Sequence, residues 1–151
     1  MTLKSLLAAC VLLIPFATLA LAQAGEAPTI AIVTPVQGAA VALGGDAEKS
    51  IEVRVRVTGF TLRAAGQCGS DANCGHLHLK IDPEGGSCDI PGRPYNSMNS
   101  DTGGDTIQAR FGHCSSPVGP HVIGILLARD DHKPVIIDGR PMVATAYVIA
   151  K

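Results

Sequence analysis

His76-Leu77-His78-Leu79-Lys80-Ile81-Asp82 alternates polar and aliphatic side chains without a break. That period of two belongs to a β-strand, whose successive side chains leave opposite faces, so Leu77, Leu79 and Ile81 point into a core and His76, His78, Lys80 and Asp82 onto the outer face. Upstream, Ile51, Val53, Val55 and Val57 alternate in the same way with Glu52, Arg54, Arg56 and Thr58. Downstream, Ile107, Ala109 and Phe111 alternate with Thr106, Gln108 and Arg110. Residues 121–128 are apolar at nearly every position, which suits a central strand covered on both faces or shielded by a loop. Residues 142–150 make a closing strand after a turn at 137–141, and two short β-prone pieces, 29–33 and 39–43, flank Pro35, where an edge strand ends or changes sheet. Residues 83–104 carry the Pro, Gly, Ser, Asn and Asp content of a long loop, with Tyr95 to Met98 as a short strand inside it. No window has helical periodicity, so the expected fold is all-β, an antiparallel β-sandwich of about seven strands.

The chain opens with Lys4 and an uncharged run from Leu6 to Leu21, closing on Ala22-Gln23-Ala24. A short, Ala-rich apolar run followed at once by small residues reads as a cleaved export signal over 1–24, with one domain over 25–151 and no membrane span after cleavage. Cys10 lies inside that run, so a lipid anchor there is not expected. The formal net charge is −1, one unit more negative once Lys4 is gone, which offers no basic face for nucleic acid. Four cysteines remain, Cys68, Cys74, Cys88 and Cys114, and an even number in an exported chain reads as two disulfides. Three pairings are possible; the favoured one joins Cys68 to Cys74, pinning one loop, and Cys88 to Cys114, tethering the long loop. The location that follows is secreted or periplasmic.

Several segments carry a family resemblance: Thr34-Pro35-Val36 with Gly38-Ala39, the strand end Val57-Thr58-Gly59-Phe60, the Cys74-Gly75-His76-Leu77-His78 strand, Gly119-Pro120-His121, and Asp130-Asp131-His132-Lys133-Pro134. Together they resemble exported bacterial immunoglobulin-like domains, in particular little-characterised ones with a Gly-His-x-His strand and a later Asp-x-x-His or Asp-His turn. The resemblance implies an immunoglobulin-like sandwich over most of 29–149 and no particular activity.

The histidines are the most informative polar set. His76 and His78, at i and i+2, leave one face about 6 to 7 Å apart, close enough to share a metal ion. His132, in the turn after the strand expected to pair with 76–82, is the third ligand such a site needs, and Asp130 or Asp131 would add an oxygen; imidazole-rich sites suit copper or zinc. The plainer reading leaves His76 and His78 as solvent-facing strand residues and His132 as a turn residue. His121, after Gly119-Pro120, reads as a brace at a strand entrance, and His113 as incidental.

Motifs for catalysis are incomplete. Asp101-Thr102-Gly103 follows Asn99-Ser100 and reads as a loop, there is no Gly-x-Ser-x-Gly elbow or phosphate-binding glycine loop, and no glutamate pair stands on facing strands. Asp101 and Asp105 lack the spaced acidic ladder of a calcium loop. With no Trp, only Tyr95 offers an aromatic platform for a glycan. Two functions are therefore expected in order: an exported, non-enzymatic binding or structural module whose partner is a protein or glycan of the cell envelope, with no cofactor; and a copper- or zinc-binding protein using His76, His78 and His132.

Overall fold

A computed structural model describes residues 26–85, 87–90 and 98–151. The expected export signal over 1–24, Cys10, Tyr95 and most of the short strand expected around it lie outside these residues. Eleven strand segments and a single 3-10 turn, Phe111–His113, make up the regular structure of the described residues. β1 (Thr29–Thr34), β3 (Ser50–Thr58) and β7 (Thr106–Arg110) form a three-stranded antiparallel sheet in the order β1-β3-β7. A six-stranded sheet faces it, in the order β2 (Ala39–Val41), β11 (Val143–Ala150), β8 (Gly119–Arg129), β5 (Cys74–Ile81) and β4 (Thr61–Leu62), with β6 (Ser100–Thr102) also on β5. A hairpin of β9 (Ile136–Ile137) and β10 (Arg140–Pro141) stands between β8 and β11 in the chain.

The fold is a β-sandwich. Val53 and Val55 of β3 and Ile107 and Ala109 of β7 bury against Leu77, Leu79 and Ile81 of β5, Ile123, Ile125 and Leu127 of β8, and Val148 and Ala150 of β11. These are the inward members of each two-residue alternation, so the pattern that makes the strands also selects their buried face. Pro35 interrupts the chain between β1 in the smaller sheet and β2 in the larger, and the strand changes sheet there.

Three features differ from the expectation. Two of the strand pairs are parallel, β2 with β11 and β4 with β5, each only two or three residues long. Ser100–Thr102, within the stretch that reads as loop, is strand β6. The reason lies in β5: β4 covers its edge only at Cys74 and Gly75, so the backbone groups from Leu77 to Leu79 need another partner, and β6 supplies it. Buried Asn99 locks that connection by donating to the carbonyls of Cys88 and Arg110 and accepting from the Arg110 N–H. Third, His76 and His78 face outward from the sandwich but are 1% and 3% exposed, so the solvent-facing reading fails.

Candidate metal centre

β5 pairs with β8 in the antiparallel register that sets His76 opposite Ala128 and His78 opposite Leu126. β8 therefore ends just beyond His76, and the turn that follows hangs over the histidine face. That turn is closed by His132 N–H donating to the Arg129 carbonyl and Arg129 N–H donating to the Lys133 carbonyl, and His132 itself takes a left-handed backbone, φ 62°. Gly75 lets β8 come close: a Cβ there would meet the backbone of Ala128 and lie 2.9 Å from Arg129 Cα.

The outcome is a triangle of nitrogens. His76 Nε2 lies 2.8 Å from His78 Nε2 and 3.0 Å from His132 Nδ1, and His132 Nδ1 lies 3.2 Å from His78 Nε2. A hydrogen bond joins one donor to one acceptor, and each ring nitrogen is one or the other. Among three mutually close atoms, at most two contacts can pair a donor with an acceptor, whatever the tautomers. At least one contact in this triangle is therefore between like groups. A cation accepting all three lone pairs removes that conflict. The circle through the nitrogens has a radius of about 1.7 Å, so a point about 1 Å off their plane is about 2 Å from each, the usual zinc-to-imidazole distance.

Electrostatics favour the neutral form of His76 and His78. Burial, then the neighbouring His76 and His132, push the His78 pKa down to about 4. His76 is lowered as well, by burial and then by His132, with Asp101 and Asp130 acting in the opposite direction. Neutral imidazole is the form that ligates metal. Beside the His132 turn, Asp71, Asp130 and Asp131 line one recess together with Arg129.

Neither carboxylate expected to add an oxygen belongs to the triangle. Asp130 Oδ1 accepts from the N–H groups of Gly66 and Cys68, and Asp131 pairs with Lys133 at the surface. Asp101 stands opposite His78 on β6 rather than in a calcium loop with Asp105. The sulfur pairs are Cys68 with Cys74 and Cys88 with Cys114, so no thiolate is on offer near the histidines. His113 faces Glu48 at 3.1 Å. His121 is braced between Asp82, 2.7 Å from its Nδ1, and the edge of the Phe111 ring. The two-residue pattern does not distinguish Asp82 from the other outward residues, but pairing 76–82 antiparallel with 121–128 brings the last residue of one strand to the first of the other.

No family model matches the chain, and no curated protein matches it. Among solved structures it is similar to the fibronectin(III)-like modules of Clostridium thermocellum CbhA, at 6% identity and a TM-score of 0.45, over 82% of this chain and 96% of that one. A likeness that distant says nothing about what the histidines do.

In the metal-free protein the triangle predicts a pH-dependent stability. Above pH 6.5 His78 is neutral both folded and unfolded, and stability is at its full value. As pH falls from 6.5 towards 4, the unfolded chain takes up a proton that the folded chain refuses, so stability drops. The expected loss is roughly 2 kcal/mol, less than the whole shift because solvent reaches the cluster from the His132 side. Urea midpoints measured across this range should fall more steeply for the native sequence than for His78→Gln, which keeps only the His76 contribution; equal slopes would refute the assignment.

Proposed function

We propose that this chain is a non-enzymatic β-sandwich module that binds a single copper or zinc ion through His76, His78 and His132, and that it works in the periplasm or outside the cell in delivery or storage of that metal. The observation that carries the reading is the nitrogen triangle, which tautomer choice cannot satisfy and one cation can. Three protein ligands leave a fourth position for water or an incoming donor, the arrangement expected of a site that exchanges its metal. The imidazole set favours borderline ions over calcium or magnesium, which prefer oxygen. Export is supported by two cysteine pairs at bonding distance, which persist in oxidising compartments; among the described residues no helix is long and apolar enough to cross a membrane.

Calorimetric titration of the mature protein with Cu²⁺ and with Zn²⁺ near neutral pH tests the reading. One equivalent should bind, and His76→Ala, His78→Ala and His132→Ala should each weaken binding at least 100-fold, about 3 kcal/mol. His113→Ala, remote from the triangle and paired with Glu48, should not change it. Unaltered affinity after replacing both His76 and His78 would sink the proposal. Because copper outcompetes zinc at almost any nitrogen site, elemental analysis of natively exported protein decides between the two ions.

A further inference from the structure

A second set of donor atoms in the described residues involves neither His76, His78 nor His132. Cys88 and Cys114, joined as a disulfide, and a ring nitrogen of His121 lie with their ligand atoms within 4.8 Å of one another, and all three residues are buried. His121 is held there by a carboxylate. Its Nδ1 is 2.7 Å from Asp82 Oδ2, while Asp82 Oδ1 accepts from the Val122 N–H at 2.8 Å. The same Asp82 Oδ2 lies 3.8 Å from Cys88 Sγ, so one carboxylate touches both the imidazole and the sulfur pair.

A bracing histidine would be expected to use both ring nitrogens. Here Nδ1–H donates to Asp82, and His121 Nε2 is buried with no hydrogen-bond partner among the described residues, in a side chain only 6% exposed. A neutral imidazole with one nitrogen donating to a carboxylate and a free lone pair on the other is the ligand state seen in carboxylate-histidine-metal arrangements. The disulfide sulfurs near this ring are no ligands while bonded to each other, because the thiolate is the form of cysteine that coordinates.

We propose that reduction of the Cys88–Cys114 disulfide opens a second, redox-gated metal site, in which two thiolates and the imidazole of His121, oriented by Asp82, hold a zinc ion. A dithiol reductant transfers two electrons to the S–S bond and leaves as its own cyclic disulfide, and two cysteine thiols remain. Zinc binding then releases the two thiol protons. Donors around tetrahedral zinc stand about 3.5 to 3.7 Å apart, so the two sulfurs, bonded at 2.04 Å, must separate on reduction, while all three ligand atoms already lie within 4.8 Å of one another. Disulfide and metal exclude one another, so an oxidant that re-forms the S–S bond expels the ion.

Cobalt(II) is the probe, because its thiolate charge-transfer absorption reports sulfur ligation and the histidine triangle contributes none. The full mature chain carrying His76→Ala and His78→Ala, reduced with a dithiol under inert gas and then freed of it, should develop that absorption with one equivalent of cobalt, and the oxidised chain should not. The band should persist in a Cys68→Ser, Cys74→Ser variant, weaken in affinity about tenfold in Asp82→Asn, and weaken at least 100-fold in His121→Ala. Zinc should bleach it stoichiometrically. Absence of the band, its loss with Cys68 and Cys74, or its indifference to His121→Ala would overturn the site. If reduction alone unfolds the chain, recovery of the strand dichroism on adding zinc to the His76→Ala, His78→Ala chain upholds the proposal and failure to recover overturns it.

Discussion

Phe111→Ala should cost about 3 to 5 kcal/mol of folding stability while leaving metal affinity at the histidine triangle unchanged. Phe111 is fully buried where β7 passes into the 3-10 turn, and it belongs to the core shared by the two sheets. Removing its ring empties a volume that neighbours on rigid strands cannot collapse to fill, so both the lost transfer free energy and the cavity count against the fold. The ring also meets His121 edge-on, with centroids 5.1 Å apart, so that contact is lost too. His76, His78 and His132, however, sit on the other side of the six-stranded sheet. Guanidinium unfolding should show the midpoint falling steeply, and calorimetry on the still-folded fraction at low temperature should give the native affinity. A Phe111→Leu variant, which keeps most of the volume, should lose far less.

Gly75→Ala couples the two properties that Phe111→Ala separates. An alanine Cβ at this position would collide with the backbone of Ala128 and approach Arg129 Cα to 2.9 Å, and neither atom belongs to a flexible side chain. Relief requires β5 and β8 to move apart at the end where the strands pair, Gly75 with Arg129 and His76 with Ala128. The cost is about 3 kcal/mol, at the upper end of overpacking because backbone must yield. The same displacement carries the His132 turn away from His76, so metal affinity should fall about tenfold or more without any ligand being changed. Gly45→Ala is the control, since its Cβ would meet nothing within 4 Å and its backbone is not left-handed; it should alter stability by no more than about 0.5 kcal/mol. Gly75→Ala with native stability but weakened binding, or the reverse, would show that the close approach of β5 and β8 does not position the centre.

The metal reading and the redox reading can fail independently. The triangle contains no sulfur, and the Cys88, Cys114 and His121 group contains none of its rings. What they share is β5 and its continuation: His76 and His78 project from the strand, and Asp82, one residue past its end, reaches the opposite strand entrance.

Much of this was legible in the residues themselves. Alternation in 76–82, 51–58 and 106–111 follows from the two-residue repeat of an extended backbone, a local property, so the strands, their inward faces and the sandwich class could be written down before any contact was known. The common outward direction of His76 and His78 is equally local, as is the parity of the cysteines. Burial of those two rings was not, because it depends on where the chain returns. The β5 and β8 register, the left-handed turn at His132 and the room left by Gly75 together decide that three nitrogens converge, and none of these is encoded within one strand. β6 is invisible in the sequence for the same reason: three polar residues, Ser100, Asp101 and Thr102, form a strand only because an uncovered stretch of β5 backbone lies beside them. Asp82 and His121, 39 residues apart, meet through that same register. The sequence alone determined which side chains leave each face of each strand, since that is backbone geometry; the tertiary structure alone decided which of them meet, since long-range pairing sets the distances on which ligation depends.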